Sequence, residues 1–116
     1  MAATPETKVK RKVADALKEL GVYYFYPVTG GYGKSGVPDI VGCYEGRVFG
    51  IECKAGKGKV TALQARNLEE IAAAGGIAAV INEDSVHKVT DILNERETDE
   101  RQMTFDFLGG QNGGWD

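Results

Sequence analysis

The sequence predicts a single α/β domain, a sandwich built around a mixed central sheet, and three observations predict it. Segments with a helical apolar period are interspersed with short β-branched and aromatic runs, in the order helix, three strands, helix, strand, helix. A chain of 116 residues suits one domain with a modest core. No internal repeat is present, and composition shifts near residue 95, which separates a domain over 1–95 from a polar, acidic tail over 96–116 that is expected to be poorly ordered.

The first helix opens at Thr4-Pro5-Glu6, with a capping hydroxyl, a proline at the first helical position and an acid in the first turn. Val9, Val13, Leu17 and Leu20 follow at helical spacing, and Gly21 ends the run. Val22 to Val28 reads as a strand, and the glycines between Thr29 and Gly36 make a loop. Two strands follow, Asp39–Tyr44 and Arg47–Lys54, turning at Glu45-Gly46. Past the loop Gly56-Lys57-Gly58-Lys59, Thr61 starts a second helix that reaches about Ala74, with Leu68, Ile71 and Ala72 as its buried face. Gly75-Gly76 stops it. Ile77–Ile81 is a short apolar strand, and a third helix runs from Ser85 to Asn94.

Composition excludes several classes of function. No apolar run approaches the roughly 20 residues that a membrane span needs, and the first residues lack the pattern of a signal peptide. Cys43 and Cys53 both fall in strands and are expected to be buried, reduced thiols in a cytoplasmic protein. The net charge of −3 is unevenly spread: residues 1–66 hold eleven Lys/Arg against six Asp/Glu, and residues 67–116 hold three against eleven. A phosphate-binding face is compatible with that segregation.

The chemistry concentrates on the central hairpin. A turn centred on Glu45-Gly46 sets Tyr44 against Arg47, Val41 against Gly50 and Asp39 against Glu52, whether the loop has two residues or four. Opposed residues hold their Cβ atoms about 5 Å apart on one face, and Lys54, two residues after Glu52, shares that face. Both strands are apolar on both sides, so they belong in the middle of a covered sheet. Two opposed carboxylates there repel, and burying them unpaired costs several kcal/mol each, to an order of magnitude. A hard divalent cation, Mg²⁺ or Mn²⁺, removes the repulsion; the competing explanation is a bare ion-pair cluster of Asp39, Lys54 and Glu52.

Gly36-Val37-Pro38-Asp39-Ile40-Val41-Gly42, followed by Ile51-Glu52-Cys53-Lys54, resembles the Pro-Asp…Glu-x-Lys signature of the PD-(D/E)XK nuclease superfamily. Its wording is most similar to the small stand-alone form of the VRR-NUC group, over roughly residues 6–93. The resemblance implies a restriction-endonuclease-like core and a metal held by Asp39, Glu52 and the Cys53 backbone carbonyl. It also implies that Lys54 orients the attacking water and offsets phosphate charge. Glu6, on the Val9/Val13/Leu17 stripe facing the sheet, matches the acid such nucleases often carry on their first helix, as a further metal ligand, with a plain helix-dipole acid as the second reading. Gln64 matches a catalytic glutamine on the following helix, and it equally completes a capping box with Thr61. Lys34, Lys57, Lys59 and Arg66 border the site and are candidate phosphate contacts.

Other signals carry less. Gly33-Lys34-Ser35 lacks the upstream glycine and the following helix of a P-loop. His87, the lone histidine, is expected in solvent and makes no zinc site. Tyr23, Tyr24, Phe25 and Tyr26 suit base stacking, but a buried strand explains most of them. The expected function is a structure-selective DNA endonuclease, in first place a Holliday-junction resolvase acting as a homodimer. A nicking or flap nuclease and a DNA-binding module without catalysis are the alternatives. In the tail, Gln102-Met103-Thr104-Phe105-Asp106-Phe107 is similar to the glutamine-led motif that docks bacterial proteins on the sliding clamp, with the protein's own sheet edge or a second subunit as the preferred alternative.

Overall fold

Helix α1 (Pro5–Leu20) begins and ends where its sequence directs. The Thr4 hydroxyl accepts the Thr7 backbone N–H at 3.1 Å. Gly21, at φ 72°, adopts the left-handed conformation that lets its N–H reach back to the carbonyls of Leu17 and Lys18. The buried stripe is Val9, Val13, Ala14 and Leu17. The computed structural model describes residues 3–28 and 33–95; the expectations placed on the 96–116 tail, Gln102–Phe107 included, lie outside the described residues.

The remaining elements are β1 (Tyr23–Phe25), β2 (Ile40–Tyr44), β3 (Arg47–Cys53), α2 (Ala62–Ala73), β4 (Ile77–Ile81), a 3₁₀ turn over Val86–Lys88, and α3 (Val89–Asn94). They form one α/β domain whose four strands lie in the order β1-β2-β3-β4. The β1–β2 and β2–β3 pairs are antiparallel, whereas β3 and β4 run parallel because α2 crosses over between them. The sheet is mixed, as expected. Tyr44 stands opposite Arg47, Val41 opposite Gly50 and Ile40 opposite Ile51. That is the register dictated by a turn at Glu45-Gly46, where both residues take positive φ, 50° and 86°.

Helices cover both faces. On one side α1 and α3 bury Val9, Val13, Leu17, Val89 and Leu93 against Ile40, Phe49, Ile51, Cys53, Ile77, Ala79 and Ile81. On the other, α2 sets Leu68 and Ala72 on Ala78 and Val80. Gly42 is required by this packing: a side chain there would run into the Tyr23 carbonyl and the Phe49 ring. Leu68 and Ala72 are buried as expected, while Ile71 is only partly so.

Several expectations need correction. Only Tyr23–Phe25 of the Val22–Val28 run pairs as a strand; Pro27 has no N–H to extend the ladder, and β1 is the sheet edge. The aromatics are not a buried strand. Tyr23 and Phe25 are 71% and 46% exposed, because α2 packs on β3 and β4 on that face, and Tyr26, beside Tyr24 and Lys10 of α1, is also 46% exposed. For the same reason Cys43, paired with Tyr23, is exposed, and only Cys53 is a buried thiol. The third helix starts as a 3₁₀ turn, with His87 in solvent as expected. Among the described residues no helix is long and apolar enough to cross a membrane.

Candidate active site

The C-terminal end of β3 gathers the acids. Asp39 lies one residue before β2 and faces this end through the hairpin register. Its approach is set by packing: Pro38 is buried over Gly50, where the absence of a side chain leaves room for both the Pro38 ring and Ile71. Asn67, buried on α2, donates through Nδ2 to the Ser35 carbonyl at 3.0 Å and so pins the segment leading to Pro38-Asp39.

The two carboxylates are treated differently. Asp39 Oδ2 accepts the Cys53 backbone N–H at 2.9 Å. Glu52 is 2% exposed, and its Oε1 is buried with no hydrogen-bond partner among the described residues. Its other oxygen, Oε2, lies 3.6 Å from Lys54 Nζ. Lys54, in turn, stands 3.8 Å from Oε2 of Glu6 on the first turn of α1. Glu6, Glu52 and Lys54 therefore meet, with Asp39 fixed beside them through Cys53. Of the ion-pair cluster weighed as the competing explanation, the Glu52–Lys54 pair is present, whereas Asp39 is bound to the Cys53 N–H and one Glu52 oxygen has no hydrogen-bond partner among the described residues.

Electrostatics follow from this geometry. Burial raises the Glu52 carboxyl to about 7; the Asp39 charge pushes the same way, the Lys54 charge opposes it, and Glu6 adds a smaller increase. The Cys53 thiol is driven up to about 12, first by burial and then by Asp39 and Glu52. It is inert at neutral pH, so this residue offers the site its main chain only.

Other candidates are placed elsewhere. Gln64 closes the capping box of α2, its Oε1 accepting the Thr61 N–H at 3.0 Å while its own N–H donates to Thr61 Oγ1 at 3.1 Å. Lys34 is paired with Glu70 on α2 at 2.7 Å. That contact holds the Glu70 carboxyl below its usual range, with a smaller effect from Arg66. Lys57 and Lys59 are exposed in the loop after β3.

The sequence reading missed Asn67 and a contact from the loop after β4. There Glu83 accepts the Gly56 N–H with both carboxylate oxygens, at 3.1 and 2.9 Å. A helix between two strand-like runs signals parallel strands whose C-terminal ends emerge together, which is the one sequence hint for this second contact.

The donor set fits a hard divalent cation. Among the described residues no three His, Cys, Asp or Glu side chains form a ready-made cage, and Glu6 sits with Lys54 instead of completing one. Mg²⁺ does not need a cage, since it is commonly held by one or two carboxylates with water and substrate phosphate as the other ligands. The buried, unpartnered Glu52 Oε1 is an acceptor of the required type. No family model matches the chain, and no curated protein matches it either.

Proposed function

We propose that the chain is a metal-dependent endodeoxyribonuclease of the PD-(D/E)XK type, with the restriction-endonuclease-like core that its VRR-NUC-like motif implies. One observation carries the reading: the buried Glu52 carboxylate keeps an oxygen without a partner while standing beside a second carboxylate and a lysine. Stability alone gives little reason to keep such a group, because burial of this half-satisfied carboxylate outweighs its single contact with Lys54 and disfavours its charge. A site that takes up a cation gives one.

Asp39, Glu52 and the Cys53 carbonyl would hold Mg²⁺, or Mn²⁺ in its place, with Glu6 at the margin. When bound, the ion supplies Lewis acidity, drawing charge from a phosphoryl oxygen and making water a better nucleophile at neutral pH. The rest is done by side chains. Lys54, held between Glu52 and Glu6, sets a fixed positive charge where negative charge develops on the phosphate oxygens. The Cys53 N–H keeps the Asp39 carboxylate from swinging away, so the site is organised before substrate arrives.

Branched DNA, in first place a four-way junction, is the proposed substrate. A symmetric homodimer suits it by placing two sites on a symmetric junction, and the exposed Tyr23, Phe25 and Val48 give a second copy an apolar surface to cover. The test is cleavage of four-way junctions, flaps and linear duplex by purified protein with Mg²⁺ or Mn²⁺. Paired, symmetric nicks in the junction are expected. Equal cutting of linear duplex favours the nicking alternative, and no cutting of any substrate overturns the nuclease reading.

A further inference from the structure

Next to the catalytic cluster lies a cleft of about 460 Å³ between α1 and the loops that follow β3 and β4. It continues from the cluster along the chain itself, since Pro5 on its wall precedes Glu6 and Ala55 follows Lys54. Lys8 and Lys12, one helical turn apart, line the α1 wall. Among the described residues neither has a carboxylate within ion-pair distance. The opposite wall carries Gly56, whose N–H is taken by both oxygens of Glu83. The cleft thus has a carboxylate bound to a backbone N–H on one wall and, on the other, two lysines with no ion pair among the described residues.

We propose that this cleft is a phosphate subsite in which the Glu83 carboxylate keeps the place of a substrate phosphate and gives it up when DNA binds. The proposal rests on the nuclease reading, which puts the scissile phosphate at Lys54 and therefore a neighbouring phosphate of the same strand beside it. Carboxylate and phosphodiester oxygens are alike in accepting charge-assisted hydrogen bonds from backbone N–H groups and lysines. Glu83 is exposed, so it can turn into solvent without leaving a buried charge behind. While in place it satisfies Gly56, lends negative charge to a basic wall and disfavours an anion that cannot displace it. Lys8 and Lys12 then act on DNA as phosphate contacts, which fix the position of the strand without reading its sequence.

The substitution Glu83→Gln separates this role from that of a loop clasp, because glutamine loses the charge and one of the two acceptor oxygens but keeps a carbonyl for the Gly56 N–H. Binding of a fluorescein-labelled four-way junction and of a labelled duplex is followed by anisotropy in Ca²⁺ over a range of salt. Glu83→Gln is expected to tighten binding by about threefold or more with an unchanged melting temperature. Lys8→Ala and Lys12→Ala are each expected to weaken it by roughly three- to tenfold and to lower the salt slope by about one. Looser or unchanged binding by Glu83→Gln, or lysine variants with wild-type affinity and slope, in a protein that still binds and cuts DNA, overturns the subsite alone. Wild-type protein that neither binds nor cuts DNA overturns the nuclease reading, and the subsite with it.

Discussion

The Asp39 carboxylate accepts the backbone N–H of Cys53 at 2.9 Å, so the acid on β2's approach is tied to the residue immediately after Glu52. Asp39 and Glu52 look equivalent in sequence, yet one is a hydrogen-bonded part of the fold and the other is a buried acid with one oxygen on Lys54 and the other without a hydrogen-bond partner among the described residues.

Their substitutions should therefore have opposite effects on stability. Asp39→Ala strands the Cys53 N–H in a part-buried position and is expected to cost about 1–3 kcal/mol. Glu52→Gln removes the charge that burial opposes, and it is expected to raise the melting temperature at pH 8 in chelator by roughly 5–10 °C. Thermal melts of the two variants against wild type check both signs. A lower melting temperature for Glu52→Gln would mean that its contact with Lys54 outweighs its burial.

Glu52 also sets a pH dependence. Its carboxyl titrates at about 7 in the folded chain, above the ordinary value of 4.5. Between these values the folded state keeps a proton that the unfolded state has lost, so stability falls as pH rises. The favourable contribution is complete below 4.5 and gone above about 7, up to roughly 3 kcal/mol in all. Denaturant melts of metal-free protein from pH 4.5 to 8 should show the decline beneath the effects of the other groups, and Glu52→Gln should remove it. Saturating Mg²⁺ should flatten it too, because an ion bound only by the folded, ionised site stabilises that state.

Cleavage should need the whole cluster. Glu52→Ala and Lys54→Ala are expected to abolish cutting while the fold persists, as is excess chelator with the wild-type chain. Glu6→Ala is expected to lower turnover by tenfold or more, because Lys54 loses one of the two carboxylates that fix its ammonium. A helix-dipole acid is worth only about 0.3–1 kcal/mol of stability and leaves turnover alone. Single-turnover rates beside melting curves separate the two roles. Undiminished cutting by Lys54→Ala would remove this lysine from the mechanism.

The convergence of Asp39, Glu52 and Lys54 was legible because it depends on one turn centre and a period of two, both written in consecutive residues. The helix ends were legible for the same local reason, as Thr4, Thr61 and Gly21 show. What could not be read depends on neighbours distant in sequence. A run of aromatics does not reveal that its strand lies at the sheet edge, so the exposure of Tyr23 and Phe25 was missed. Cys43 was misplaced with them, since it pairs with Tyr23. The Gly56–Glu83 contact requires β3 and β4 to end side by side, across 27 residues of chain.

Gln64 is the residue for which sequence offered two roles and geometry shows one of them. Its side-chain oxygen is taken by the Thr61 N–H, and its backbone N–H by the Thr61 hydroxyl. Each half of that box satisfies a helix-end donor that would otherwise be left open. Gln64→Ala is therefore expected to cost about 0.5–2 kcal/mol of stability, as is Thr61→Ala. In the double variant the two losses should fall short of their sum, because each residue caps the other's N–H. Turnover per folded molecule should change little in either single variant. A hundredfold loss of cutting in Gln64→Ala, with Thr61→Ala still fully active, would show that the glutamine leaves its cap to serve the reaction.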